Sequence, residues 1–178
     1  MATFGYATMG IYGWSGSINN KIAGSIFTCP QNGTANSITV GLMVTDIATR
    51  MKCAIYRVSD WALIGQTQEV LVPRSPQPTG TVEPVWQTFS FSTPPQLYGG
   101  VQYCLVLWSE SLQYTYSYIQ YDDSSTPLAI GVTLTYTGTF PSTLSGFSTF
   151  NRLCSIYCDY TPTAPPQTGT LTVHAKTA

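Results

Sequence analysis

The alternation of apolar and polar side chains is clearest in residues 86–108, where two predicted strands flank a corner rich in proline and glycine. Phe89 and Phe91 lie two positions apart, so an extended chain places both rings on one face and the neighbouring serines on the other. Pro94 and Pro95 end the first strand, because proline has no backbone N–H for a sheet ladder. The glycines that follow allow a turn back into the sheet.

The second strand of this pair, residues 101–108, is apolar on both faces. One face carries Val101, Tyr103, Leu105 and Leu107, and the other carries Cys104, Val106 and Trp108. Such a strand is either covered on both sides or central and buried, with an aromatic outer face. We therefore expect it to lie in the core.

The same two-residue period recurs along the chain. Further strands are predicted at residues 21–28, 37–44, 51–58, 63–72, 114–121, 128–137 and 152–160. Gly65 marks a bulge in the fourth of these, and no segment shows the apolar period and caps of a helix. About nine or ten short strands separated by turns predict an all-β fold, a two-sheet antiparallel sandwich of the jelly-roll type.

Low charge distinguishes this chain from an average soluble domain. Of its 178 residues, 8% are charged and 43% are hydrophobic, and the net charge is −1. The hydrophobic content excludes disorder, and the near-zero charge gives no attraction for nucleic acid or an anionic membrane. No apolar run is long enough to span a membrane, and residues 1–6 have neither the basic nor the apolar region of a signal peptide. We expect a secreted protein whose signal was removed, or a virion component that is not secreted by that route.

The five cysteines have neither the spacing nor the histidines of a zinc site. Cys154 and Cys158 fall in one predicted strand, so their Cα atoms would be ~13 Å apart, beyond the ~7 Å that a disulfide spans. Two alternatives remain, buried free thiols or bridges to other strands. The odd number leaves at least one thiol free or intermolecular.

Aromatic residues are the candidate binding residues. Tyr114, Tyr116 and Tyr118 share one face of a predicted strand, and Trp14 and Trp61 lie in predicted loops where their rings would be exposed. A tyrosine ring has an apolar face and a polar tip, which suits both sugar stacking and protein interfaces. These five residues form the predicted site for a glycan or a protein partner, although a ring ladder that merely covers the sheet explains the tyrosines equally well.

Catalysis is not predicted. The chain has no nucleophile-elbow, zinc-protease or phosphate-loop motif, and its few acidic residues show no motif for a catalytic carboxylate pair. Asp122 and Asp123 offer oxygen ligands that suit calcium, the one cofactor the sequence suggests, although a solvated turn explains them as well. Asn32 begins an Asn-Gly-Thr glycosylation sequon, in which Asn-Gly is also a strong turn signal.

Three groups of residues stand in an order that resembles a known family. They are residues 27–33 before 38–40, residues 54–56 before 63–67, and residues 86–91 followed by Leu97 and Tyr103. This order resembles the β-sandwich modules of large surface and extracellular proteins of archaea and bacteria, which are similar in architecture to carbohydrate-binding modules. The resemblance covers residues 20–137 and implies adhesion, display or glycan binding. The five cysteines depart from that pattern.

The end of the chain differs in composition from the rest. Residues 1–161 form the predicted sandwich domain, residues 162–170 a semi-rigid linker rich in proline and threonine, and residues 171–178 a terminal strand. The apolar side of that strand is formed by Leu171, Val173 and Ala175. It has no hairpin partner nearby, so it either joins its own sheet, begins a following domain, or completes the sheet of a neighbouring subunit.

These features predict a non-catalytic structural or interaction protein, a subunit or display module of an extracellular filament, a cell surface layer or a virion. Its partners would be copies of itself or other surface proteins, with the terminal strand as an assembly element. The alternative is a carbohydrate-binding module that stacks a glycan on exposed aromatic rings.

Overall fold

A computed structural model describes residues 1–14, 16–78 and 80–163, and within them it contains fifteen strands and no helix. The first eight strands are β1 (Ala2–Gly5), β2 (Tyr12–Gly13), β3 (Lys21–Thr28), β4 (Gly33–Val44), β5 (Thr49–Arg57), β6 (Ala62–Gln66), β7 (Val70–Val72) and β8 (Val85–Ser90). The others are β9 (Gln96–Leu97), β10 (Gln102–Ser109), β11 (Ser117–Asp123), β12 (Ala129–Thr133), β13 (Ser148–Phe150), β14 (Arg152–Cys154) and β15 (Ile156–Pro162).

These strands form two antiparallel sheets. Sheet 1 contains β1, β2, β4, β8, β9, β11, β14 and β15, and sheet 2 contains β3, β5, β6, β7, β10, β12 and β13. The chain crosses repeatedly between the sheets, as it does in jelly rolls. The predicted fold class, an all-β sandwich of two antiparallel sheets, is confirmed. The strand count was underestimated, because several strands are only two or three residues long.

The longest strand, β4, is the centre of sheet 1. One of its sides pairs with β15 and then with β11, and its other side pairs with β9 and β8. Ser155 lies between β4 and β11. Its carbonyl accepts a hydrogen bond from the Gly41 amide of β4 at 2.7 Å, and its amide donates to the Gln120 carbonyl of β11 at 2.8 Å. The predicted strand at 152–160 is therefore two strands. Cys154 ends β14, whereas Cys158 lies in β15.

The main core lies between the sheets. Leu105 and Leu107 of β10 meet Ile38 and Val40 of β4 in one cluster of buried side chains, and Phe89 is fully enclosed there too. Phe91 is also buried in this cluster, so the prediction that both phenylalanines face one side is confirmed.

A second core covers the outer face of sheet 2. Cys104, Val106 and Trp108 of β10 pack there against Phe140 and Leu144. The last two residues belong to the cover segment, residues 134–147, which has little regular structure of its own. The prediction that residues 101–108 are buried on both faces is confirmed.

Backbone hydrogen bonds attach the cover segment to the edge of sheet 2. The Leu63 amide of β6 donates to the Ser142 carbonyl at 2.8 Å, and the Leu144 amide donates to the Trp61 carbonyl at 3.0 Å. The Tyr56 hydroxyl donates to the Pro141 carbonyl at 2.7 Å. These bonds cover the beginning of β6, so this edge of the sheet is only partly open.

The two strands of the opening pattern, β8 and β10, lie in different sheets. The expectation of a turn back into the same sheet was wrong, because after its prolines the chain forms β9 beside β4 and then crosses over. Gly100 makes the crossing with φ at 79°, and its amide donates to the Cys29 carbonyl at 2.8 Å. A strand that is apolar on both faces needs cover on both of them. The middle of sheet 2, under the cover segment, provides this cover, which is why β10 lies there.

Smaller predictions have mixed outcomes. The predicted bulge is confirmed, since the register between β5 and β6 shifts where Ile55 pairs with Gly65 and Tyr56 pairs with Leu63. All five cysteines are buried free thiols, which decides between the two alternatives. The predicted strand at 171–178, with most of the linker before it, lies outside the described residues.

Candidate interaction surface

Two adjacent loops at one end of the sandwich present exposed side chains. The tyrosine loop, residues 112–116, leads into β11, and residues 45–48 connect β4 to β5. The Thr45 amide donates to the Tyr116 carbonyl at 3.0 Å, and the Tyr116 amide donates to Thr45 Oγ1 at 3.1 Å. The two loops thus continue the pairing of β4 with β11 beyond the ends of both strands.

Thr115 fastens the tyrosine loop to the protein from its buried side. Its Oγ1 accepts a hydrogen bond from the Ile47 amide at 3.4 Å, and its carbonyl accepts one from Asn19 Nδ2. The Thr115 side chain is buried, and both bonds are partly shielded from water. Fixing the backbone in advance reduces the entropy that a binding surface loses when a partner docks.

The side chains that these loops expose are large and mostly apolar. Tyr114 is 77% exposed, Tyr116 is 53% exposed and Ile47 is 52% exposed. Tyr114 also has φ at 65°, in the left-handed region that large side chains seldom adopt. Backbone strain of this kind persists where the surrounding structure enforces it, and it is concentrated at functional sites.

The structure separates the three predicted tyrosines into two settings. Tyr118 lies in β11 between the buried Ser117 and Ile119, so its half-buried ring is on the outer face of sheet 1, where it pairs with Met43. Tyr114 precedes the strand, and its left-handed backbone breaks the alternation that would place it on the same face. The expectation of one continuous strand from residue 114 was therefore wrong.

Trp14 is not available as a ligand platform. Its ring is only 2% exposed and contacts Phe150 and Tyr121 with centroid distances of 5.0 and 6.2 Å. The guanidinium of Arg152 lies 4.6 Å from the Trp14 centroid and 4.5 Å from the Tyr121 centroid. The expectation that Trp14 is exposed was wrong, because these aromatic and cationic contacts draw an irregular segment onto the sheet.

Trp61 helps to hold the cover segment. Its ring is half-buried and lies 4.1 Å from the ring of Phe147, measured between centroids. Its φ is 54°, and its carbonyl accepts the Leu144 amide. Trp61 thus mainly contacts the cover segment. Part of its surface is still exposed, so its role as a binding residue stays a prediction.

The two candidate calcium ligands lie next to each other in β11, so their side chains point to opposite faces. Asp122 accepts hydrogen bonds from the Tyr6 hydroxyl at 2.6 Å and from the Ile11 amide at 3.0 Å. The carboxylate of Asp122 therefore fastens the N-terminal segment to sheet 1. Asp123 is exposed, and in the described part of the chain no three metal-ligating side chains converge. Calcium binding stays a prediction.

Asn32 of the sequon is exposed at the turn before β4. Its Oδ1 accepts a hydrogen bond from the Gly99 amide at 2.8 Å, and its carbonyl accepts one from the Thr163 amide at 2.9 Å. The residue thus has the turn role that the Asn-Gly signal predicts, and its glycosylation stays a prediction.

Trp86 is an aromatic residue that sequence reasoning did not select. It lies on the outer face of sheet 1, is 38% exposed, and meets Tyr157 edge to face at 5.5 Å between centroids. Its position between inward-facing residues of β8 was a usable signal, because alternation places residue 86 on the face opposite to Phe89.

Charged residues gather in a shallow pocket of about 370 Å³ beside the cover segment. Arg50 lies 3.5 Å from Glu69 and 3.7 Å from Glu110, and the Tyr136 hydroxyl donates to Glu69 at 2.8 Å. Burial and the bond to Glu69 raise the pKa of Tyr136, so this phenol stays protonated. The single positive charge of Arg50 is shared by the two carboxylates, and the bond from Tyr136 to Glu69 fastens the cover segment to this group.

No protein-family model matches this chain, and no curated protein matches its sequence. The described residues include no helix long and apolar enough to span a membrane.

Proposed function

We propose that this chain is a non-catalytic interaction protein, a subunit or display module of an extracellular filament, a cell surface layer or a virion. The low charge and hydroxyl-rich composition support this proposal, as does the resemblance to β-sandwich modules of archaeal and bacterial surface proteins. In this proposal its partners are copies of itself or other surface proteins, and the segment at 171–178 is an assembly strand.

The observation that carries the proposal is the exposed, hydrogen-bonded tyrosine loop. Tyr114, Tyr116 and Ile47 expose more than half of their surface on a backbone that hydrogen bonds to Thr45 and Thr115 attach to the neighbouring loop. Tyrosine is enriched at the centres of protein interfaces, because its ring provides contact area at a small entropic cost. A left-handed tyrosine with no packing role in the described structure is costly to keep unless its ring binds something.

The test is the mass in solution, measured by light scattering after size exclusion. Three forms are compared: the intact chain, a chain that ends at Thr168, and the intact chain with Tyr114→Ser and Tyr116→Ser. We expect the intact chain to associate and the tyrosine variant to have a lower mass in solution than the intact chain. Loss of association on truncation assigns the contact to the terminal strand as well.

A matched control is Tyr98→Ser, because Tyr98 is also well exposed but lies outside the tyrosine loop. If Tyr98→Ser weakens association as much as the tyrosine variant does, the loss is due to a more polar surface in general and not to the tyrosine loop. An intact chain that is monomeric at every concentration contradicts self-association and leaves a heterologous partner or a glycan as the ligand.

A carbohydrate-binding module is the second candidate. The exposed rings of Tyr114 and Tyr116, and the partly exposed Trp61 and Tyr118, have the faces that stack on sugar rings. Binding to a glycan array that Tyr116→Ala and Tyr118→Ala abolish would support this function. The absence of binding to any glycan at high protein concentration would remove it.

A further inference from the structure

The strand β8 forms an open edge of sheet 1. It pairs with β4 on one side, with Val85 opposite Leu42 and Ser90 opposite Ser37. Its sequence, Val-Trp-Gln-Thr-Phe-Ser, contains no charge, proline or glycine. Natural proteins usually protect an edge strand with such residues, because its unpaired backbone groups invite another strand.

Hydrogen bonds at the end of β8 identify the groups that face outward. The Phe91 amide donates toward β4, to the Asn36 carbonyl at 3.1 Å, whereas the Ser90 carbonyl accepts the Gln68 amide on the other side at 2.9 Å. Backbone groups alternate in direction along an antiparallel strand. Trp86, Thr88 and Ser90 therefore point their N–H and C=O groups away from β4.

Among these outward groups, those of Trp86 and Thr88 have no backbone partner within the described residues. The Thr88 carbonyl accepts only the side-chain amide of Gln87, at 3.0 Å. A carbonyl oxygen has a second lone pair, so this contact leaves room for another donor. The central part of β8 therefore has backbone donors and acceptors available for another strand.

Other edges in the described part of the fold are shorter or covered. The cover segment bonds to the outer side of β6, β7 and β13 have three residues each, and β1 has four residues. At six residues, β8 is the longest of these edge strands. It also carries the exposed ring of Trp86, which would lose contact with water in a complex.

We propose that β8 pairs with β8 of a second copy of this chain, antiparallel and about a two-fold axis at Gln87. In this register Trp86 of each copy lies opposite Thr88 of the other, and their outward groups exchange N–H···O=C bonds. The register that places Trp86 opposite Ser90 is worse, because the backbone of Gln68 already lies against the outward side of β8 at Ser90, where the partner strand would have to run. The pairing joins the two copies of sheet 1 into one continuous sheet.

A second copy fits this edge better than an unrelated strand does. A two-fold contact uses the same surface on both partners, so an uncharged strand that presents equal donors and acceptors is complementary to itself. No charged residue in β8 would select a different partner. The inference rests on the proposed self-association, and it specifies which edge makes one of the contacts.

Cysteine cross-linking tests the register directly. At the two-fold axis the Cα atoms of the two Gln87 residues would be about 4.5 Å apart, as in a non-hydrogen-bonded antiparallel pair. That distance suits a disulfide. The native cysteines are all buried and do not compete. We expect Gln87→Cys to give a covalent dimer under mild oxidation.

The matched control is Thr88→Cys in the same strand. In the proposed register the two Thr88 Cα atoms are separated by more than the ~7 Å that a disulfide tolerates, so this variant should stay largely uncross-linked. Equal cross-linking of both variants, or no cross-linking of Gln87→Cys, overturns the proposal.

Thr88→Lys distinguishes this proposal from the broader one. A lysine at the edge blocks strand pairing without disturbing the backbone bonds to β4, so light scattering should show at least a twofold loss of the associated fraction. If Thr88→Lys associates normally while the tyrosine variant or the chain ending at Thr168 does not, the β8 contact is wrong and the proposed function stands. If the intact chain never associates, the β8 contact and self-association both fail, and the proposed function is left with a partner other than the chain itself.

Discussion

Leu105 and Val106 are neighbours in β10, yet they face two separate cores. Leu105 packs between the sheets, whereas Val106 packs beneath the cover segment, and both are fully buried. Sheet 2 therefore needs protection on both faces, and residues 134–147 provide it on the outer one. The stability of the sandwich depends on a segment with little regular structure.

Phe140 tests this dependence. It is buried between Tyr56 and Trp108, at 6.3 and 5.2 Å between ring centroids. Phe140→Ala should lower the free energy of unfolding by about 3–5 kcal/mol, as expected when a buried aromatic ring is removed. Urea unfolding measures the change. Leu134→Ala is the control in the same segment, and a similar loss in both variants would contradict a specific role for the Phe140 ring.

Arg152 provides a second stability prediction. Its guanidinium lies over the rings of Trp14 and Tyr121, which is a cation–π arrangement. A lysine keeps the charge but loses the flat surface that stacks on a ring. Arg152→Lys should therefore cost about 1 kcal/mol. Arg57→Lys is the control, since the Arg57 side chain is 42% exposed and pairs with Asp60 at the surface. Equal stability of Arg152→Lys and the native chain would exclude a contribution from stacking.

The buried thiols predict sensitivity to alkaline pH. Burial raises the pKa of Cys154 to about 12 from its ordinary value of 9.0. The unfolded chain releases this proton near pH 9 and the folded chain keeps it, so the thiol's contribution is complete below pH 9 and is lost as the pH rises toward 12. The loss is about 1.4 kcal/mol per pH unit for one proton.

Cys154→Ala isolates this effect from that of the other thiols. The variant should show a shallower fall in the free energy of unfolding between about pH 9 and pH 10.5, by the amount due to one proton. Urea titrations at several pH values measure both slopes. The variant's lower stability at neutral pH does not matter, because only the slope is compared. Identical slopes would mean that Cys154 ionises as easily in the folded chain as in the unfolded one.

The alternation of side chains along the sequence correctly predicted the strands in which each face is buried as the pattern suggests. The bounds of β3 match the predicted strand at 21–28, and both faces of β10 were assigned correctly, because alternation and burial agree there. Pattern did not predict the cover segment, since its buried residues Phe140 and Leu144 follow no period. Their burial depends on an apolar sheet face that is far away in sequence.

The candidate surface was predicted in part for the same reason. Exposed tyrosines near residue 114 follow from composition and spacing. The left-handed Tyr114, however, lies in a loop whose next two residues bond to Asn19 and Thr45, from other parts of the chain. Trp14 was misjudged because its burial depends on Arg152, more than a hundred residues away. Contacts of such separation leave no local signal.

Tyr114→Gly separates stability from binding. A left-handed backbone costs a residue with a Cβ about 1–2 kcal/mol, and the freedom of glycine in the unfolded chain offsets about 0.5–1 kcal/mol of the relief. The variant should therefore be more stable than the native chain by about 0.5–1 kcal/mol, and it should associate less because the exposed ring is gone. Urea unfolding and light scattering measure the two effects. Tyr116→Gly is the control, since Tyr116 is not left-handed and should lose association without gaining stability. A Tyr114→Gly chain that gains stability and still associates would mean that this strained tyrosine serves no binding surface.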